Sequence, residues 1–218
     1  MGRRTWRLRA GLAAACAVLP FAAAVDAASA QADPYSVLVF TKNATVGATE
    51  GVAALQASAP AGATFDVTAD ASKFTDAGLA PYKAVVFLNT TGDVLDASQE
   101  AAFEKYFRGG GGFLGIGSAI TTEPGSTFFT NILGTRAVGD ATTTQLATVK
   151  VADRGHAAGG KALPERWERM DRWFNFSENV RGVSHVIATV DENTYVGGNT
   201  MALDTPRTND HPVVWCKD

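Results

Sequence analysis

Cysteine is nearly absent: there are two in 218 residues, Cys16 and Cys216. Two thiols cannot staple a scaffold, so a hydrophobic core must hold the fold. Histidine is scarce as well, with His156, His185 and His211 the only three. The sequence has no His-x-x-x-His, no paired cysteines and no loop of spaced acids ending in Glu. That leaves no zinc or calcium signature, and no metal or other cofactor is expected. Basic charge is in deficit, with 19 Lys+Arg against 22 Asp+Glu and a formal net charge of −3. Without a basic excess to neutralise phosphates, nucleic acid is not an expected partner. Beyond residue 30 no apolar run approaches the ~18 residues that span a bilayer, so no membrane span is expected there. What is present is 46% hydrophobic and 19% charged residues. That is enough apolar material for a packed core and excludes a disordered chain.

The first thirty residues read as an export signal. Arg3, Arg4, Arg7 and Arg9 precede an apolar run from Ala10 to Val25, broken by Pro20, and Ala28-Ser29-Ala30 fits a small-x-small cleavage site. The expectation is a signal over 1–30, one domain over 31–218, and a secreted or periplasmic location. Arg3-Arg4-Thr5-Trp6 leaves general and twin-arginine export both open. Cleavage would remove four arginines and Asp26, shifting the net charge from −3 to −6. Cys216 would then be the only thiol, with no activating pair evident near it in the sequence.

Ser36–Phe40 and Lys83–Asn89 are short continuous apolar runs, as strands buried on both faces require. Thr64–Thr68 alternates. Val52, Leu55 and the alanines between 48 and 59 fall at helical spacing and stop at Pro60-Ala61-Gly62. Asp96 with Gln99 makes a capping box before Phe103, Tyr106 and Phe107, and Gly109–Gly112 ends that helix before a strand over 112–117. This alternation predicts an α/β fold: a mainly parallel sheet with helices on both faces. The second half is poor in helical signals. Strand patterns at 145–152, 184–190 and 212–215 read as further strands joined to the same sheet.

In such sheets ligands bind beyond the carboxyl ends of the strands. Gly115-Ile116-Gly117-Ser118-Ala119 leaves a buried strand there. It approximates a nucleophile elbow, and it also fits a backbone-lined binding edge or a plain tight turn. Ser118 and Gly117 are therefore candidates, the first as nucleophile and the second through its backbone. A serine needs a base. His211 follows a polar loop and is the histidine chosen, while Glu123 is the carboxylate nearest to Ser118 along the chain. Asp171 and Asn175 alternate with Trp173, Phe174 and Phe176 and are candidates for orienting ligand hydroxyls.

Several of these segments resemble the ThuA-like (trehalose utilisation) family. They are Val37–Lys42, Phe74-Thr75-Asp76, Tyr82–Leu95, Gln99–Tyr106, Gly110–Ile116, Asp171–Phe176, His185–Thr189 and His211–Trp215. The resemblance implies a flavodoxin-like fold of the class I glutamine amidotransferase kind. It also implies a small sugar-like ligand, a disaccharide or keto-sugar, that is either turned over or only bound; oligomeric state stays open. The family pattern places a His after the first strand and another after the elbow strand. Here those places hold Asn43–Glu50 and Gly117-Ser118-Ala119, without His. An amidotransferase would place Cys at the elbow, so glutamine hydrolysis is not expected. The family pattern also continues past the Trp-Cys strand into a Gly-Gly-Arg strand and a Gly-His turn. Neither is present before Asp218, so an empty last sheet position and an inactive remnant are the remaining alternative.

Overall fold

The first apolar run, at the start of the described chain, becomes strand β1, Tyr35–Phe40, the inner strand from which the fold is built. The computed structural model describes residues 33–44, 46–138, 143–158, 163–196 and 210–217. The candidate export signal, and Thr208-Asn209 before His211, lie outside the described residues.

Around β1 stand β2 (Ala63–Thr68), β3 (Tyr82–Leu88) and β4 (Gly112–Ile116), all parallel, in the order β2-β1-β3-β4. This is the flavodoxin-like beginning of a doubly wound sheet, whose switch point lies between β1 and β3. The two inner strands are the continuous hydrophobic ones, as burial on both faces demands. On one face Leu38, Phe40, Val85 and Phe87 pack with Phe74, Phe103, Phe128 and Phe129. That face is covered by α2 (Asp76–Leu79), α3 (Ala97–Arg108) and α4 (Thr127–Leu133). The capping box is present: Asp96 accepts from the backbone of Ser98 and Gln99, and Gln99 accepts from the Asp96 backbone. On the other face Val37, Val39, Val86 and Leu88 meet Val52 and Leu55 of α1 (Ala48–Ser58), a helix with no fully buried residue.

The later strands correct one expectation. They do not extend the parallel sheet. Strands β5 (Gln145–Val151), β6 (Arg166–Asp171), β7 (His185–Val190) and β8 (His211–Cys216) form a second, antiparallel sheet in the order β6-β5-β7-β8. Its core is Ala147, Val149, Trp173, Ala188, Val190 and Tyr195. Alternation in the sequence identifies a strand but not its partner. These strands satisfy their backbone groups among themselves, leaving β4 at the edge of the parallel sheet. The two sheets are tied where α4 ends. Trp215 Nε1 donates to Leu133 O (2.8 Å), Val138 N to Asn175 O (2.8 Å) and Ser177 N to Arg136 O (2.9 Å). Among the described residues no helix is long and apolar enough to cross a membrane.

Candidate functional site

Three loops leave the carboxyl ends of β1, β3 and β4, and the side chain of Asn89 ties them together. Its Nδ2 donates to Val46 O (2.9 Å), and its Oδ1 accepts from Ser118 N (3.4 Å). Nearby, Asn43 Nδ2 donates to Thr91 O (3.1 Å) and Lys42 Nζ to Val94 O (2.7 Å). Asn43, Gly47, Asn89 and Gly117 all have positive φ, between 53° and 70°. Two of them, Asn43 and Asn89, are non-glycine residues held in this sparsely populated region, a feature that clusters at binding and catalytic sites.

The turn after β4 bears on the elbow reading. In a nucleophile elbow the strained residue carries the nucleophile. Here the residue in the left-handed conformation is Gly117, with φ 61°, which glycine adopts freely, and a Cβ placed on it would lie 2.0 Å from Asn89 Oδ1. The carboxamide of Asn89 therefore fills the space of an elbow side chain. Ser118 is one residue further on, in the 3₁₀ turn Gly117–Thr121. Its N–H and C=O are used, and its hydroxyl has no hydrogen-bond partner among the described residues.

Beyond that turn the chain runs back along the loop that follows β3. Thr121 and Thr91 share a hydroxyl hydrogen bond (2.8 Å), as do Thr122 and Thr90 (2.6 Å). Gly92 and Thr122 form a parallel bridge. This places Glu123, buried and at φ 48°, where its Oε1 accepts from both Val94 N and Leu95 N at 2.7 Å. Burial pushes the Glu123 carboxyl above the ordinary range, and the two N–H donors only partly offset this. Glu123 lines a cavity of about 260 Å³ with Thr121, Thr122, Thr130 and Arg136, between apolar walls that include Ile120, Leu133 and Val138. The lining residues thus combine three threonines, a buried glutamate and an arginine with apolar side chains, a mixture of residue types suited to a polyol.

Of the residues expected at the site, Glu123 is on this cavity, and Ser118 sits one turn back at the sheet edge. Asn175 lies behind the cavity's far wall, since its carbonyl accepts from Val138 N. His211 is a further layer away, on β8. Its Nε2 meets Phe174 O (2.8 Å), so Nε2 carries the hydrogen and Nδ1 accepts from Tyr195 O–H (3.1 Å). Both ring nitrogens are thus engaged within the protein. Burial lowers the His211 pKa, against the pull of the Glu192 carboxylate 3.4 Å from Nδ1. Asp171 ends β6, where it accepts from Arg169 Nε (2.6 Å) and from Arg172 N (2.8 Å). Neither His211 nor Asp171 lines the cavity.

Sequence reasoning missed Asn89 and Arg136. It also missed a pairing at Cys216: His156 Nε2 lies 3.4 Å from Cys216 Sγ, and His156 stacks on His185, which bonds Asp153 (2.8 Å). His156 Nδ1 accepts from Ala158 N (3.1 Å), which puts the imidazole hydrogen on Nε2. Toward the sulfur this histidine is a donor and not the proton acceptor that a nucleophilic thiol needs. Asn89 had one sequence signal, its place directly after a buried strand. The cysteine–histidine contact, 60 residues apart, had none.

A family model described as ThuA, trehalose utilisation, matches residues 36–218. Two solved structures share the fold. One is a protein of Bacteroides uniformis described as ThuA-like, with TM-score 0.70 and 22% identity over 85% of this chain and 79% of that one. The other is a protein of Parabacteroides merdae with the same description, with TM-score 0.63 and 18% identity over 85% and 76%. No curated protein sequence matches.

Proposed function

This chain belongs to the ThuA (trehalose utilisation) family, and on that premise we propose that it is an exported protein of carbohydrate metabolism that binds one ring of a disaccharide or keto-sugar in the cavity beside Glu123. The observation that carries the reading is the lining itself: three threonines, a buried carboxyl and an arginine, with apolar walls between them. Volume supports one ring and not two. At about 260 Å³ the cavity lies below the ~300–1,000 Å³ of a pocket for a drug-sized ligand. The second ring of a disaccharide would lie outside, along the edge formed by Thr121, Ser118 and Asn43. One Glu123 oxygen holds the loop after β3, which leaves the other to meet a sugar hydroxyl. Asn175 supports the far wall through its carbonyl. Export is supported by the arginine-led apolar segment and Ala28-Ser29-Ala30; sequencing the secreted protein's N-terminus is expected to begin at Gln31.

A thermal-shift screen of disaccharides and their keto derivatives, followed by a turnover assay on the hits, tests this reading. Saturable stabilisation by at least one sugar is expected, and a flat response across the screen contradicts it. If turnover is found, the catalytic assignment of Ser118, Glu123 and His211 predicts that Ser118→Ala and His211→Ala abolish it while the fold survives. Full activity in both removes those two from the chemistry and leaves Glu123.

A further inference from the structure

Independently of the cavity, we infer that the free edge of β4 is a self-association surface, on which a second copy of this chain adds its own β4 in antiparallel register about a twofold axis at Leu114. Four strands stand at sheet edges: β2, β4, β6 and β8. An exposed edge invites pairing with another chain, and charge or proline on the strand discourages it. Three of the four carry such a guard. β2 has Asp66, β6 has Arg166, Glu168, Arg169 and Asp171, and β8 has Pro212. β4 has neither charge nor proline, its pairing with β3 shows no bulge, and it is only one residue shorter than the other three. Leu114 on this strand is 46% exposed, and Gly115 is exposed beside it.

The backbone sets the register. Ile116 O accepts from Asn89 N (3.0 Å), so the backbone groups of Ile116, and by alternation those of Leu114 and Gly112, point toward β3. Those of Phe113 and Gly115 point away from it, and no hydrogen bond takes them up among the described residues. With the axis at Leu114, Phe113 of each copy faces Gly115 of the other, and each such pair exchanges both of its N–H···O bonds. Moving the axis by one residue sets Gly115 against Gly111, or Phe113 against Gly117, both outside the strand. The side chains agree with this register. On the face covered by α3 and α4, the Phe113 ring stands across from Gly115, an aromatic over an edge glycine. On the α1 face, Leu114 meets Leu114 of the second copy as a close, non-hydrogen-bonded pair, with Gly112 across from Ile116. The strands bring no charges together, as two copies of a chain of net charge −3 require. Five residues a side fall short of the ~20–30 of a standard interface, so the dimer is weak and reversible. The twofold closes it, because both free β4 edges are used up.

Sedimentation velocity over a range of protein concentrations tests this, on the full chain and on Leu114→Lys, in which like charges meet at the axis. The full chain is expected to pass from monomer to dimer as concentration rises. Leu114→Lys is expected to raise the dissociation constant by at least about 10-fold with an unchanged circular dichroism spectrum. Cross-linking locates the contact and decides the matter if Leu114→Lys does not fold. With Cys16 and Cys216 changed to Ser, Leu114→Cys is expected to give a disulfide-linked dimer on mild oxidation. Residues opposite one another in a non-hydrogen-bonded pair lie ~4.5 Å apart at Cα, within the ~4.4–6.8 Å that a disulfide spans. Val67→Cys, at a position 44% exposed on the guarded edge strand β2, is expected to stay unlinked. A chain that is monomeric at every concentration, a dimer indifferent to Leu114→Lys, species larger than a dimer, or equal cross-linking at positions 67 and 114 overturns the inference.

Discussion

Glu123 is held by its surroundings more than by its own preferences. A non-glycine residue at positive φ is strained, and a carboxyl under cover is desolvated. What compensates is the pair of backbone N–H groups of Val94 and Leu95, themselves buried, that its Oε1 receives. Glu123→Ala leaves both without an acceptor and is expected to destabilise the protein by about 2–6 kcal/mol, from ~1–3 kcal/mol per orphaned buried group. Glu123→Gln keeps an oxygen for them and is expected to cost far less; urea unfolding of the two variants measures the difference. The pH dependence follows from the raised carboxyl. The native state holds this proton more firmly than the unfolded chain does. Its contribution is therefore present below the ordinary glutamate range and is lost as pH rises through the raised value. Glu123→Gln is expected to remove that decline. His211 runs the other way: lowered by burial, it favours the native state above its ordinary value near 6.5, and this is lost as pH falls through the lowered value.

Gly117 and Asn89 make a second pair at this scale. Gly117→Ala imposes a left-handed alanine, ~1–2 kcal/mol, and a methyl 2.0 Å from Asn89 Oδ1. In an Asn89→Gly background the collision is absent. The substitution is then expected to cost at least about 1 kcal/mol less, the coupling of residues in contact. A double-mutant cycle by denaturant unfolding reads it, and strict additivity would show that the carboxamide does not occupy that space.

Among the elements, the two faces of the parallel sheet are unequal. Phe87 on β3 meets Phe40, Phe74, Phe103, Phe113 and Phe129 at centroid distances of 5.2–5.7 Å, while α1 contributes no fully buried residue to the opposite face. Phe103→Ala on α3 is expected to cost about 3–5 kcal/mol, and Leu55→Ala on α1 less than half of that, in the same unfolding assay. Equal costs would mean that α1 is packed more firmly than its exposure indicates. This inequality was partly legible in the sequence. Asp96, Gln99, Phe103 and Phe107 announce α3 and its cap, and Val37–Phe40 and Tyr82–Leu88 announce strands wetted on neither side. The short helix Asp76–Leu79 was not legible, because four residues hold no period. Nor was the separate sheet. In β5 the apolar residues Leu146 and Val149 fall out of phase: Ala147 and Val149 are in the core, and Leu146 is 48% exposed beside Met170. One apolar residue out of phase was enough to hide which face was which.

At the scale of the molecule, the candidate site lies where the two sheets are joined. The parallel sheet supplies the loops that end in Asn89, Ser118 and Glu123; the stretch 136–138, hydrogen-bonded to 175–177 before the second sheet, supplies the far wall. Sequence reasoning found the sheet edge by rule and Glu123 by proximity along the chain. It could not find Arg136 or the wall, because they depend on the return of a strand pair more than 35 residues downstream. The ligand reading therefore rests on the cavity being open and accessible. Its most direct test is calorimetric titration of the strongest hit from the sugar screen into the natural chain and into Ala137→Trp, which sets the bulkiest side chain on a residue of the cavity lining. The account predicts saturable binding to the first and none to the second, with both folded by circular dichroism. Equal binding to the two would place the ligand elsewhere and contradict it.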